Sequence, residues 1–145
     1  MFFMFDQFKN MFKSEPKTRS QATILVVEDN AVFQQFLLRT LQKAGYKVEL
    51  AENGQIGLDK AKILKPDLIL LDCEMPVLGG VDMCKKLRET EGIYNTPVLF
   101  LTGLDTPKNI IDCFETDAEN YLSKPISGKL LLSEIQKVLN EYSLK

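Results

Sequence analysis

The stretch Asp67–Gly80 reads DLILLDCEMPVLGG. Asp67 to Leu71 is a near-continuous apolar run that ends abruptly at Asp72. Such a run suits a strand buried on both faces, as in a parallel sheet. Reading outward from it, the same design repeats. Thr23 to Val27 (TILVV) is a β-branched run stopped by Glu28-Asp29. Pro97 to Leu101 (PVLFL) is stopped by Thr102, and the brief strand Asn120 to Leu122 is followed by Lys124. Lys47 to Ala51 (KVELA) supplies a further strand.

Helical spacing fills the gaps. Asn30 is placed to cap a helix carrying Val32, Phe33, Phe36, Leu37 and Leu41, with Gly45 just past its end. Ile56, Leu58, Ala61, Ile63 and Leu64 form a second helix that stops before Pro66. Val81–Arg88 and Pro107–Glu115 read as the third and fourth. Ser127 caps a last one with Leu130, Leu131, Ile135, Val138 and Leu139 on one face. Strands alternating with helices predict an α/β fold, a doubly wound five-stranded parallel sheet covered on both sides by five helices.

Composition narrows the chemistry. The 145 residues are 45% apolar and 26% charged, enough for one compact domain. The formal net charge of -2 gives no basic footprint, so no nucleic-acid partner is expected. The chain has no histidine. This excludes Ser-His and Cys-His nucleophile pairs, His-ligated zinc, and a phosphohistidine carrier. The three cysteines, Cys73, Cys84 and Cys113, lack metal-type spacing and read as reduced thiols of a cytoplasmic protein.

In a doubly wound sheet the carboxyl ends of all strands lie at one edge, where ligands bind. Glu28, Asp29, Asp72, Thr102 and Lys124 therefore converge. Clustered carboxylates repel unless a hard divalent cation neutralises them, which points to Mg²⁺. A lysine and a hydroxyl beside such an ion suit the oxygens of a phosphoryl group.

At these residues the chain resembles the receiver domains of bacterial two-component response regulators. The resemblance spans about Ala22 to Tyr142. It is carried by ILVVEDN (Ile24–Asn30), DLILLDCEMPVLGG, PVLFLTG (Pro97–Gly103) and NYLSKP (Asn120–Pro125). It implies strand order 2-1-3-4-5. It also implies that Asp72 accepts a phosphoryl group from a histidine kinase or histidine phosphotransfer protein. Glu28, Asp29, Asp72 and the backbone carbonyl of Glu74 would hold Mg²⁺. Lys124 would pair with the phosphoryl oxygens, Thr102 would hydrogen-bond one of them, and Tyr121 would be the aromatic switch. The Lys124–Pro125 bond would be cis, an isomer that only proline makes cheap.

Some positions depart from the family pattern. Gly79 stands where many relatives have Asp, Asp117 where a Gly often ends the fourth helix, and Glu74 is a charged variant facing the phosphoryl group. The short stretch after Ser127, the length of one helix, leads us to expect a stand-alone receiver without substrate turnover of its own, signalling to an unknown downstream protein or relaying the phosphoryl group. Its first helix would meet the histidine-bearing partner, and its fourth and fifth helices the output. Two alternatives share parts of the pattern. One is a non-phosphorylated receiver-fold scaffold. The other is a Mg²⁺-dependent aspartyl phosphatase, faintly suggested by Asp72-x-Glu74.

The opening differs from the rest. MFFMFDQFKNMF holds five of the chain's nine Phe. Met1, Met4, Phe5, Phe8, Met11 and Phe12 fall at helical spacing, so residues 1–13 predict an amphipathic helix suited to self-association or protein docking. Residues 14–21 read as a linker, and the receiver domain occupies 22–145. The opening lacks signal-peptide features and is too short to span a bilayer.

Overall fold

The computed structural model describes residues 22–103 and 106–143. The amphipathic opening and its linker, residues 1–13 and 14–21, lie outside them. Among the described residues, strands β1 (Thr23–Val27), β2 (Lys47–Ala51), β3 (Leu68–Leu71), β4 (Val98–Thr102) and β5 (Asn120–Ser123) alternate with helices. These are α1 (Ala31–Lys43), α2 (Gly54–Leu64), α3 (Gly80–Arg88), α4 (Pro107–Phe114) and α5 (Gly128–Ser143). The strands pair in parallel in the order β2-β1-β3-β4-β5. The expected α/β fold and strand order are therefore present.

Local chemistry sets the helix starts. The Asn30 side chain accepts from the Phe33 N–H (2.9 Å), and Asn53 does the same for Ile56 (2.9 Å). Thr106 accepts from the Asn109 N–H, with Pro107 at the first helical position. Ser127 Oγ accepts from the Leu130 N–H (3.1 Å). Gly45, just past α1, has φ 98°, the left-handed geometry that glycine adopts without penalty.

Successive strand residues point to opposite faces, so each strand feeds two cores. Leu25, Val27, Ile69, Leu71, Val98 and Phe100 pack with Leu58 and Ala61 of α2, Met83 and Leu87 of α3, and Cys113 of α4. Ile24, Val26, Leu68, Leu70, Leu99 and Leu101 pack with Leu37 and Leu41 of α1 and Leu131, Ile135 and Val138 of α5. All three cysteines are buried free thiols.

Helical spacing overestimated the buried stripe. Val32 and Ile63 are 82% and 83% exposed, and Phe36 and Leu130 are also exposed. Val32, Phe36 and Leu130 each sit one position before a buried or half-buried partner (Phe33, Leu37, Leu131), on the flank of the stripe. Ile63 falls on the outer side of α2, two positions past the buried Ala61.

Asp117 does adopt the left-handed conformation, at φ 60°. Arg88 supports that corner: its guanidinium donates to the carbonyls of Thr116 (2.8 Å), Thr96 (2.6 Å), Tyr94 (3.1 Å) and Asp117 (3.2 Å).

Candidate functional site

Parallel register brings the strand ends to one edge. Val27 pairs with Leu71, Leu71 with Phe100, and Thr102 with Ser123. Glu28, Asp72 and Lys124 follow directly after β1, β3 and β5, and Thr102 ends β4. One carboxylate oxygen each from Glu28, Asp29 and Asp72 lie within 4.8 Å of one another. Asp72 is 8% exposed and Glu28 2%, whereas Asp29 faces solvent.

Lys124 ties this cluster together. Its ammonium forms an ion pair with Glu28 and lies 3.6 Å from Asp72 Oδ2. It also sits 4.4 Å from the centre of the Phe33 ring, whose negative face favours a cation. The Lys124 N–H donates to the Thr102 carbonyl (2.9 Å), and the Lys124–Pro125 bond is cis.

Glu28 is held on several sides. It accepts from the Asn30 N–H at its carboxylate (3.0 Å) and from the Gln34 side-chain amide at its carbonyl (3.0 Å). Burial pushes the Glu28 carboxyl above its ordinary range, and the neighbouring Asp72 charge pushes the same way. The hydrogen bonds from Lys124 and Asn30 pull it back.

The β3–α3 loop forms the outer wall. An open cleft of about 480 Å³ is lined by Asp29, Cys73, Glu74, Met75, Pro76 and Gly79. Glu74 is thus at the cleft wall, outside the three-carboxylate cluster. Val77 in this loop has φ 70°, a strained conformation for a β-branched residue. The loop closes through the Gly80 N–H, which donates to the Cys73 carbonyl (2.9 Å). A Cβ at Gly80 would lie 1.9 Å from the Asp72 carbonyl oxygen, so only glycine lets α3 start this close to Asp72.

Thr102 is buried, and its side chain hydrogen-bonds the Cys73 thiol. Tyr121 lies on β5 opposite Phe100 and packs against the α2–α3–α4 core. The structure thus brings Glu28, Asp29, Asp72 and Lys124 into one cluster, with Thr102 and Glu74 on its borders and Tyr121 behind it. Sequence reading missed Phe33, Gln34 and Cys73 as neighbours of the site. Phe33 is 91 positions from Lys124, and nothing local to either residue announces the contact.

The 2-1-3-4-5 sheet that carries this cluster has the architecture of known proteins. Residues 24–136 match the response regulator receiver domain. The chain is 36% identical over 116 residues to the response regulator MprA of Mycolicibacterium vanbaalenii, covering 80% of this chain and 49% of that protein. It is 35% identical over 116 residues to the alkaline phosphatase synthesis transcriptional regulatory protein PhoP of Bacillus subtilis, covering 80% and 48%. The chain therefore spans about half the length of these curated relatives. Among solved structures, the chemotaxis protein CheY4 of Vibrio cholerae superposes with a TM-score of 0.76 at 35% identity. That superposition covers 81% of this chain and 98% of CheY4. Family match, identity and superposition agree: the chain belongs to the response regulator receiver domain family.

Proposed function

We propose that this receiver takes a phosphoryl group onto Asp72 from a phosphohistidine-bearing kinase or phosphotransfer protein. The phosphorylated domain then signals through altered protein binding or passes the group on. The observation that carries this reading is the convergence of Glu28, Asp29 and Asp72 within 4.8 Å, with Lys124 at 3.6 Å from Asp72.

In the transfer, an Asp72 carboxylate oxygen attacks phosphorus, and the bond from phosphorus to the donor imidazole nitrogen breaks. The imidazole leaves with that electron pair and is neutral without further protonation if it was protonated beforehand. An acyl phosphate remains on Asp72. Lys124 is within reach of the new phosphoryl oxygens and exchanges its Glu28 contact for them. The Thr102 hydroxyl donates to another of those oxygens, and Tyr121, on the adjacent strand two residues before Thr102's partner Ser123, follows its movement.

The oxygen-rich set at this edge fits a hard dication. Glu28, Asp29, Asp72 and the Glu74 carbonyl would hold Mg²⁺, with Glu28 contributing less because it is already hydrogen-bonded. When bound, Mg²⁺ offsets the repulsion between the carboxylates and the incoming phosphoryl oxygens.

Exposed apolar residues support the two docking faces. Val32 and Phe36 lie on α1, and Ile111 and Phe114 on α4. Among the described residues, no helix is long and apolar enough to cross a membrane, and we place the domain in the cytoplasm.

Acetyl phosphate with Mg²⁺ tests the assignment by intact-protein mass. The wild-type chain gains one hydroxylamine-labile phosphoryl group and Asp72→Asn gains none. Labelling of Asp72→Asn to the same extent would overturn it.

A further inference from the structure

We propose that Cys73 and Cys113 are an oxidisable pair that closes to a disulfide beside Asp72 and, when closed, holds the acceptor loop in a form that phosphorylates slowly. Their sulfurs lie 3.0 Å apart, 40 positions distant in sequence. A disulfide bond is about 2.0 Å, so closure needs a shift of only about 1 Å. Both residues belong to the same buried core, and both are free thiols. The consequence for phosphorylation rests on the function proposed above, whereas the disulfide itself does not.

The two sulfurs differ in access. Cys73 lines the open cleft with Asp29 and Glu74, whereas Cys113 is fully buried on α4. A small peroxide entering the cleft therefore meets Cys73 first. The Cys73 sulfur attacks one peroxide oxygen, the O–O bond breaks, and the departing hydroxide takes the thiol proton as water. This leaves Cys73 as a sulfenic acid. The Cys113 sulfur then attacks the Cys73 sulfur. The S–S bond forms, the S–O bond breaks, and the second hydroxide leaves as water with the Cys113 proton. Two thiols have lost two electrons and two protons, and one peroxide has become two waters.

Closure acts on the site through the backbone. Cys73 joins Asp72 to Glu74, and its carbonyl accepts from the Gly80 N–H at 2.9 Å. Moving its sulfur toward α4 drags this loop. It also shifts the sulfur that the Thr102 side chain hydrogen-bonds. Displacement of a reacting group by about 1 Å can slow a reaction by about a hundredfold.

The full chain, reduced and freed of reductant, is exposed to hydrogen peroxide, then alkylated in denaturant and mapped by peptide mass. The expected product has lost two hydrogens, links the Cys73 and Cys113 peptides within one chain, and carries alkylated Cys84. Dithiothreitol reverses it. Cys113→Ala prevents the link and leaves a Cys73 sulfenic acid that dimedone traps. Three alkylated cysteines after complete oxidation of added glutathione, or a link through Cys84, would overturn the pair. Wild-type mapping needs no variant, so a Cys113→Ala chain that fails to fold leaves this test intact. In the second arm, oxidised protein takes the phosphoryl group from acetyl phosphate at least about tenfold more slowly than reduced protein. Equal rates would overturn the coupling while leaving the disulfide standing. No phosphorylation of the reduced protein would instead overturn the function proposed for Asp72.

Discussion

The two faces of the sheet are made by the same strands, one from alternate residues of the other, yet they carry different chemistry. The α1–α5 face is almost wholly hydrocarbon around Leu37, Leu41, Leu131, Ile135 and Val138. The α2–α3–α4 face contains all three cysteines, Met83 and Tyr121, and it continues into the loop that holds Asp72. The difference teaches where stability and signalling separate. The first face meets the site at one edge, through Phe33 beside the Lys124 ammonium, and changes deeper in it act on fold stability. The second touches both the core and the acceptor, so changes there reach the site as well.

The largest effect should follow from Gly80→Ala, where the α2–α3–α4 face meets the acceptor. The added Cβ would meet Asp72 backbone atoms at 1.9 Å and 2.9 Å, and backbone cannot rotate away as a side chain tip can. Either α3 or Asp72 must move. We expect loss of more than about 3 kcal/mol in urea unfolding and no measurable phosphorylation from acetyl phosphate. Wild-type stability in this variant would show that α3 does not fix Asp72.

Much of this comparison was legible in the sequence. The unbroken apolar runs ILVV, LILL and VLFL predict strands buried on both faces, and strand ends rich in acids predict the shared edge. What stayed hidden is long-range. The Arg88 contacts to the carbonyls of Thr116 and Asp117 span 28 and 29 positions. The sulfur contact between Cys73 and Cys113 spans 40. Neither follows a local period, because each depends on how α3 and α4 lie over the sheet. Helical spacing also could not separate the flank residues Val32 and Leu130 from the buried stripe. Both are apolar and within one position of it. The register of the helix on the sheet decides, and no local pattern encodes that register.

At the edge where the faces meet, Asp29→Ala should weaken Mg²⁺ binding more than Glu28→Ala. Glu28 is buried and already engaged by Lys124 and the Asn30 N–H, whereas Asp29 is exposed on the cleft. We expect at least about tenfold weaker affinity for Asp29→Ala, near 1.4 kcal/mol, and a smaller loss for Glu28→Ala. Titration calorimetry decides between them, and equal affinities would contradict the assignment.

A matched pair of core truncations tests the two faces directly. Met83 on α3 and Leu131 on α5 are both fully buried. Either residue replaced by Ala should cost about 2–5 kcal/mol in denaturant unfolding. Only Met83→Ala should also slow phosphorylation several-fold. Its terminal methyl and Val27 both lie against Gly57, and Val27 immediately precedes Glu28. Equal slowing in Leu131→Ala would mean that the faces are not separate.

The smallest effect belongs to the rim of the α1–α5 face. Tyr142 on α5 packs at that rim, and its hydroxyl donates to the Glu119 carboxylate. Burial, and then the Glu119 hydrogen bond and charge, push its phenol from 10.0 up to about 12. The neutral form is thus favoured in the folded state. Its contribution is complete below the unfolded value near pH 10, falls as the unfolded chain ionises, and is gone above about pH 12. With solvent screening at this partly exposed position, the contribution is about 1 kcal/mol. Urea midpoints for wild type and Tyr142→Phe, compared at about pH 9 and about pH 11.5, isolate it from the other titrating groups. The wild-type advantage should shrink across that interval, while phosphorylation at neutral pH stays the same in both chains. An advantage that held constant would remove Tyr142 from the pH dependence. Slower phosphorylation of Tyr142→Phe would tie this face to the acceptor after all.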